Sequence, residues 1–198
     1  MGLDMFLFKA KRIDNATPED VCKIERYLNW LENGQKYTLI EWCGINLDEV
    51  NLDLADKYAE IKRLDDLSDV TLREEVGYWR KANQIHNYFV EQVQGGEDDC
   101  GIYEVTKGNL EDLLVRCCAV KVICDVPHSE KQEDEWEQPI QCPRVAEQLL
   151  PVCEGFFFGD YEYNQYYMSQ IDETISIISK VLTETDFENE MIMYRSSW

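Results

Sequence analysis

The chain has 198 residues, with 40 Asp and Glu against 19 Lys and Arg, so its formal net charge at pH 7 is −21. An excess of this size repels phosphate and anionic membrane surfaces, which disfavours a nucleic-acid or lipid-headgroup binder and favours a basic protein as partner. A hydrophobic content of 44%, with 12% aromatic residues, argues against wholesale disorder.

The N-terminal residues and the cysteines indicate a cytoplasmic protein. Residues 1–8 lack the basic head and small-residue cleavage site of a secretory signal, and no apolar run reaches the roughly 18 residues that cross a bilayer. The eight cysteines contain no C-x-x-C pair, so we expect reduced, mostly buried thiols. The sequence therefore predicts no membrane association and no resident metal or cofactor, and it does not fix an oligomeric state.

The first third of the chain contains four predicted elements. Residues 4–10 are apolar or alternating and predict a strand. Thr17 before Pro18 is typical of a helix start, and the helix is expected to run to Asn33. Residues 37–43 are rich in aromatic and β-branched side chains and predict a strand, and a helix follows over about 48–63.

A long central helix is predicted over residues 71–94, because apolar side chains recur there at intervals of three and four. A strand at 100–105 and a helix at about 109–122 follow. The acidic segment 127–143 has the composition of a mobile loop. The remaining expectations are a short helix at 144–150, a helix at about 165–183 and a strand at 191–195.

These elements predict one α+β domain over residues 1–198. Its sheet is expected to be small, mixed or antiparallel, and packed against about five helices.

Four segments of the sequence are distinctive: residues 1–5, Tyr78-Trp79-Arg80-Lys81-Ala82-Asn83-Gln84-Ile85-His86-Asn87-Tyr88-Phe89-Val90, Gly155-Phe156-Phe157-Phe158-Gly159 with the tyrosines that follow, and the ending Ser196-Ser197-Trp198. These segments resemble a family of uncharacterised proteins encoded by bacteriophages and by prophage regions of bacteria. The resemblance spans most of the chain, and it implies a small cytoplasmic protein acting inside a bacterial host. It brings no established activity or catalytic residues.

Clusters of acidic residues are the leading candidates for contact with a partner. Acids ordinarily keep a protein in solution, but an excess of 21 exceeds the roughly 2 to 8 charges that suffice for a small domain. The leading hypothesis is a phage-encoded inhibitor whose acidic face occupies the basic groove of a host nucleic-acid-binding enzyme or defence complex. By charge alone, the candidate contact residues are Glu97, Asp98, Asp99, Glu130, Glu133, Asp134, Glu135 and Glu137.

Asn83 and His86 interrupt the apolar line of the predicted central helix. Buried polar groups need partners, so one interpretation is a structural pair bonded to the sheet or to a tyrosine hydroxyl. The alternative is a pocket for a small ligand, such as a nucleotide signal, in a binding protein or enzyme. The residues of that alternative pocket are Arg80, Asn83, His86, Asn87, Phe157 and Tyr163.

Common enzyme motifs are absent from the sequence. It contains no G-x-S-x-G, G-x-x-x-x-G-K-[ST], G-x-G-x-x-G or H-E-x-x-H. The sequence therefore favours an interaction protein over an enzyme, and it assigns no catalytic residue.

Overall fold

The computed structural model describes residues 2–33, 35, 37–62, 70–124, 138–155 and 158–198. Within these ranges, four strands form one antiparallel sheet in the order β2-β1-β4-β3, accompanied by seven α-helices. This confirms the α+β class. The strands are β1 (Asp4–Lys11), β2 (Arg73–Arg80), β3 (Ile102–Val105) and β4 (Glu190–Ser197), and the helices are α1 (Pro18–Glu32), α2 (Leu39–Cys43), α3 (Leu52–Lys62), α4 (Asn83–Gln92), α5 (Lys107–Cys124), α6 (Pro143–Leu149) and α7 (Gln165–Glu184).

Apolar side chains cover both faces of the sheet. Leu7 and Tyr194 belong to a core cluster that contains residues of α4, α5, α6 and α7. Ala10 and Met193 point the other way and belong to a second cluster, with residues of α1, α2 and α3. Because strand side chains alternate between faces, β1 and β4 supply both clusters at once. The sheet is therefore the middle layer between two helical layers.

The predicted start of α1 is confirmed. The Thr17 hydroxyl accepts a hydrogen bond from the Asp20 amide at 3.1 Å, and the Asp20 carboxylate accepts one from the Thr17 amide at 2.9 Å. Pro18 occupies the first turn, where its missing N–H leaves no intrahelical bond unmade.

The predicted strand at 37–43 is wrong, because this segment forms the short helix α2. Thr38 and Glu41 make a reciprocal capping box, with the Thr38 amide 2.9 Å from the Glu41 carboxylate. Gly44 ends the helix in the left-handed region, at φ 75°. The aromatic content of the segment suggested a strand, but the capping residues determine the structure.

The predicted central helix at 71–94 is also wrong, because the segment divides into β2 and α4. Gly77 and Trp79 are buried on one face of β2, as strand alternation requires. Lys81, with φ 58°, turns the chain between the two elements. The longest described helix is instead α7, with 20 residues.

Most of the predicted mobile loop, residues 125–137, lies outside the described residues. Its end is held by backbone hydrogen bonds. The amide of Ile140 donates to the carbonyl of Tyr163 at 3.0 Å, and that of Gln141 to Cys124 at 3.0 Å. Pro143 already belongs to α6, so the loop ends one residue earlier than predicted.

We predict that Gly77→Ala destabilises the protein by about 1–3 kcal/mol, because β2 lies too close to α7 for another carbon. A Cβ at Gly77 would lie 2.6 Å from Cγ2 of Ile177. Urea unfolding followed by circular dichroism measures the loss.

Gly108→Ala is the matched control, because a Cβ there meets nothing closer than Thr106 Oγ1 at 3.7 Å. Gly108 lies in α5, so we expect its replacement to be neutral or to stabilise by up to about 1 kcal/mol. Equal unfolding midpoints for the two variants would show that the contact between β2 and α7 is not tight.

Candidate functional site

His86 lies within α4, and both of its ring nitrogens have protein partners. It is 1% exposed. Nδ1 lies 2.7 Å from the Tyr194 hydroxyl, and Nε2 lies 2.9 Å from Oδ2 of Asp98. The ring also meets Phe158 edge-on, at a centroid distance of 5.2 Å. These contacts support the interpretation of His86 as a hydrogen-bonded structural residue, with the tyrosine hydroxyl as one partner.

The electrostatics of this network favour a neutral imidazole. Burial lowers the pKa of His86, and the hydrogen bond and charge of Asp98 oppose that shift without reversing it. Burial also raises the pKa of Tyr194 well above its ordinary value, so the phenol keeps its proton. Since a carboxylate only accepts, Nε2–H donates to Asp98, and Nδ1 accepts from the tyrosine.

The other amides predicted for the alternative pocket are also bonded to the protein. The Asn83 Nδ2 donates to the carbonyl of Asp160 at 2.7 Å, and its Oδ1 accepts from the Cys153 amide at 3.3 Å. Asn87 Nδ2 donates to the carbonyl of Pro151 at 3.2 Å. These bonds attach α4 to the segment between α6 and α7.

The remaining predicted pocket residues do not complete a binding site. The hydroxyl of Tyr163 accepts from the Val152 amide at 3.3 Å. Arg80 is exposed, and its Nε lies 4.0 Å from the Asp4 carboxylate; strand alternation puts it on the face opposite to the buried Trp79. Arg80 is thus not brought together with His86. Phe157 lies outside the described residues.

The three predicted contact acids after α4 have different environments. Asp98 faces inwards to His86. Asp99 accepts from the Gly101 amide and the Tyr103 hydroxyl, both at 2.8 Å, and these bonds lower its pKa. Glu97 is exposed to solvent. The expected shared acidic face is therefore reduced here to Glu97 and the outer side of Asp99. The other candidates, Glu130, Glu133, Asp134, Glu135 and Glu137, lie outside the described residues.

A different surface combines exposed apolar side chains with acids, and we call it the α2–α3 surface. It contains five large apolar residues, each between 45% and 52% exposed, within a stretch of 16 positions. Single exposed apolar residues are ordinary, but a group of them makes this surface a candidate for interaction with a partner. Its apolar members are Tyr37, Ile40, Trp42, Leu47 and Leu52.

The local fold explains why these side chains point outwards. Leu39, Ile45 and Leu54 are buried and attach the segment to the core beneath it. The Thr38 capping box and the left-handed Gly44 fix the direction of α2 relative to the following turn. The apolar residues between the buried ones are consequently left on the outside.

The α2–α3 surface is acidic as well as apolar. Residues 37–56 contain five acids and no Lys or Arg. Glu41 is used in the capping box, and Glu49 lies 3.6 Å from Lys23. The other three acids are exposed and have no ion-pair partner among the described residues: Asp48, Asp53 and Asp56.

Sequence reasoning missed this surface because it assigned residues 37–43 to a strand. The available signal was Thr38 followed three residues later by Glu41, which is a capping-box pattern. A helix there cannot bury both Leu39 and Ile40 on one side, since consecutive helical side chains diverge.

Comparison of the chain with protein-family models, with curated proteins and with solved structures finds no match. The resemblance to phage and prophage proteins stays a prediction. Among the described residues, no helix combines the length and apolar character that crossing a membrane demands. The described residues also contain no group of three or more His, Cys, Asp or Glu able to hold a metal ion.

We predict that His86 titrates below its ordinary pKa of 6.5, because burial dominates over Asp98. At a pH between the lowered pKa of His86 and 6.5, the unfolded chain binds more protons than the folded chain. The stability that His86 contributes is thus present above pH 6.5 and is lost as the pH falls through the folded-state pKa.

The chain has two histidines, so a His128→Gln variant leaves one imidazole to follow by proton NMR. A titration midpoint at or above 6.5 would show that the Asp98 charge outweighs burial.

Proposed function

We propose that this protein is an acidic interaction protein that binds a basic partner through the α2–α3 surface. The observation that carries the proposal is the group of exposed apolar residues set among the five acids of residues 37–56, a stretch without Lys or Arg that ends at Lys57. In view of the sequence resemblance, we propose a phage-encoded inhibitor. Its partner would be a host nucleic-acid-binding enzyme or defence complex with a basic groove.

The apolar residues supply the contact area that such binding needs. Trp42 and Tyr37 are of the residue types that dominate interface energetics, because they bury a large surface at small entropic cost. Acids alone would give weak binding, since exposed ion pairs contribute at most about 1 kcal/mol each.

The acids supply selectivity for a nucleic-acid-binding partner. Duplex DNA places a charge about every 1.7 Å along its axis, and proteins that bind it present Lys and Arg at matching density. Asp48, Asp53 and Asp56 can pair with such cations without first breaking an ion pair to another described residue. The net charge of −21 also accelerates the encounter with a basic surface.

The alternative of a ligand pocket at His86 has less support. The polar atoms of His86 and Asn83 bond to protein groups, and Arg80 lies on the other face of β2. These hydrogen bonds account for His86 and Asn83 as structural residues of the core.

The test is retention of bacterial lysate proteins on the immobilised chain at low and high salt. We expect a nucleic-acid-binding protein to be retained at low salt, released by added duplex DNA, and released by high salt. Trp42→Ala should weaken its retention by roughly tenfold or more, as expected for an interface aromatic. Val122→Ser on α5 is the matched control, because Val122 is 84% exposed outside the proposed surface.

A second pair of variants tests the charges. The triple variant Asp48→Asn, Asp53→Asn and Asp56→Asn should reduce the salt dependence of retention. The triple variant Glu91→Gln, Glu147→Gln and Glu173→Gln removes the same charge from exposed positions elsewhere and should change it less. Retention that is unaffected by DNA and equal for both triple variants would contradict the proposal.

A further inference from the structure

A cleft of about 470 Å³ opens between α1 and the edge of the sheet formed by β3 and β4. Its size is in the range of small-molecule sites. The residues of α1 that line it are Glu19, Cys22, Lys23 and Arg26, which recur at helical spacing and so share one side of the helix. From the sheet it is lined by Arg195, Tyr103 and Ile102, and Ile45 from the segment after α2 adds to the apolar wall.

Two arginines in the cleft have no acidic partner in the part of the chain that the structure describes. Arg26 and Arg195 make no salt bridge with any described residue, although the chain has 40 acids. The Nε of Arg195 is buried and has no hydrogen-bond acceptor among the described atoms. A buried donor without an acceptor is costly, and a guanidinium is especially so. An anion in the cleft would offset that cost through the part of the Arg195 side chain that lines it.

The position of Arg195 is fixed by the sheet. It lies on the central strand β4, in register with Phe6 on one side and Ile102 on the other. The backbone that carries the Arg195 side chain is therefore held on both sides by neighbouring strands, whereas Arg26 is carried by the facing helix α1. Two planar guanidinium groups from different elements can hold one anion from two sides.

The charges around the cleft favour an anion, despite the charge of the whole molecule. Lys23 is neutralised by Glu19, at 2.7 Å. Asp99 is the other acid of the lining, and it is held by Gly101 and Tyr103. Among the described residues, the two guanidinium groups without an acidic partner thus outnumber the one remaining carboxylate, and the cleft has a net positive charge.

The thiol of Cys22 does not add negative charge to the cleft. Burial raises its pKa above the ordinary value of 9.0, and the nearby arginines do not reverse that shift. Cys22 is therefore neutral at pH 7, and it does not offset the charge of the two arginines.

We infer that this cleft binds the phosphate group of a small phosphate ester between Arg26 and Arg195. The volume leaves space beyond the phosphate, and Tyr103, Ile45 and Ile102 offer an aromatic and apolar wall for the rest of the ligand. Nucleoside monophosphates have this combination of a charged end and a flat ring. The inference does not depend on the α2–α3 surface.

The test is calorimetric titration of the full-length protein with AMP, with inorganic phosphate, with adenosine and with succinate. We expect saturable binding of AMP and no binding of adenosine, which lacks the phosphate. Comparable affinity for inorganic phosphate would assign free phosphate as the ligand, whereas tighter binding of AMP would assign a nucleotide. Succinate bound as tightly as phosphate would overturn the assignment to phosphate.

Arg26→Gln should weaken AMP binding roughly tenfold or more, since a charge-assisted hydrogen bond to the phosphate is lost. Arg26 is exposed, so this variant should fold. Arg144→Gln is the matched control, because Arg144 is exposed and outside the cleft and has no salt bridge with a described residue.

Equal weakening by both variants, or no saturable binding of AMP or phosphate to the wild-type chain, would overturn the inference. Arg195→Lys keeps the charge but loses the planar guanidinium group. It should weaken AMP binding while leaving the urea unfolding midpoint nearly unchanged. A change in the midpoint alone would assign Arg195 a structural role and would also overturn it.

Discussion

The antiparallel pairing of β1 with β4 is the constraint on which the rest of the structure depends. These strands lie in the middle of the sheet, and they pair from Asp4 with Ser197 to Lys11 with Glu190. Both of their faces are buried, so a shift of one residue would exchange the side chains of the two cores. The layer of α1, α2 and α3 rests on one of these faces. The proposed binding surface is the outer side of that layer, and the proposed phosphate cleft is at its edge.

Much of the fold could be predicted from local patterns, but two segments could not. The alternation of β1, the Thr17 cap of α1 and the apolar periodicity of α7 were sufficient for those elements. The spacing in residues 71–94 was misleading because the apolar residues of β2 and those of α4 together fit intervals of three and four, as in a single helix. Gly77 was the signal against a helix there, since a glycine inside a helix lowers its stability by about 1 kcal/mol relative to alanine.

The residues of the candidate sites were less predictable, because the sequence does not show which side chains pack together in the folded chain. Asn83 and His86 were recognisable as polar residues in an apolar line, but Asp98 was counted as a surface acid although it bonds to His86. Arg26 and Arg195 are far apart in sequence, and they line the same cleft only because α1 packs on the sheet. Trp42 was assigned to a strand, so its exposure could not be anticipated.

The two proposed sites differ in charge and in ligand: the α2–α3 surface is acidic, and the cleft between α1 and the sheet contains two arginines. Exposed acids with apolar neighbours suit a basic macromolecule, while the arginines of the cleft suit a small anion that the rest of the surface repels. The most direct measurement is hydrogen–deuterium exchange of the chain with and without the nucleic-acid-binding protein that it retains. Binding through the α2–α3 surface predicts slower exchange over residues 37–56. Unchanged exchange there, with protection confined to another part of the chain, would contradict it.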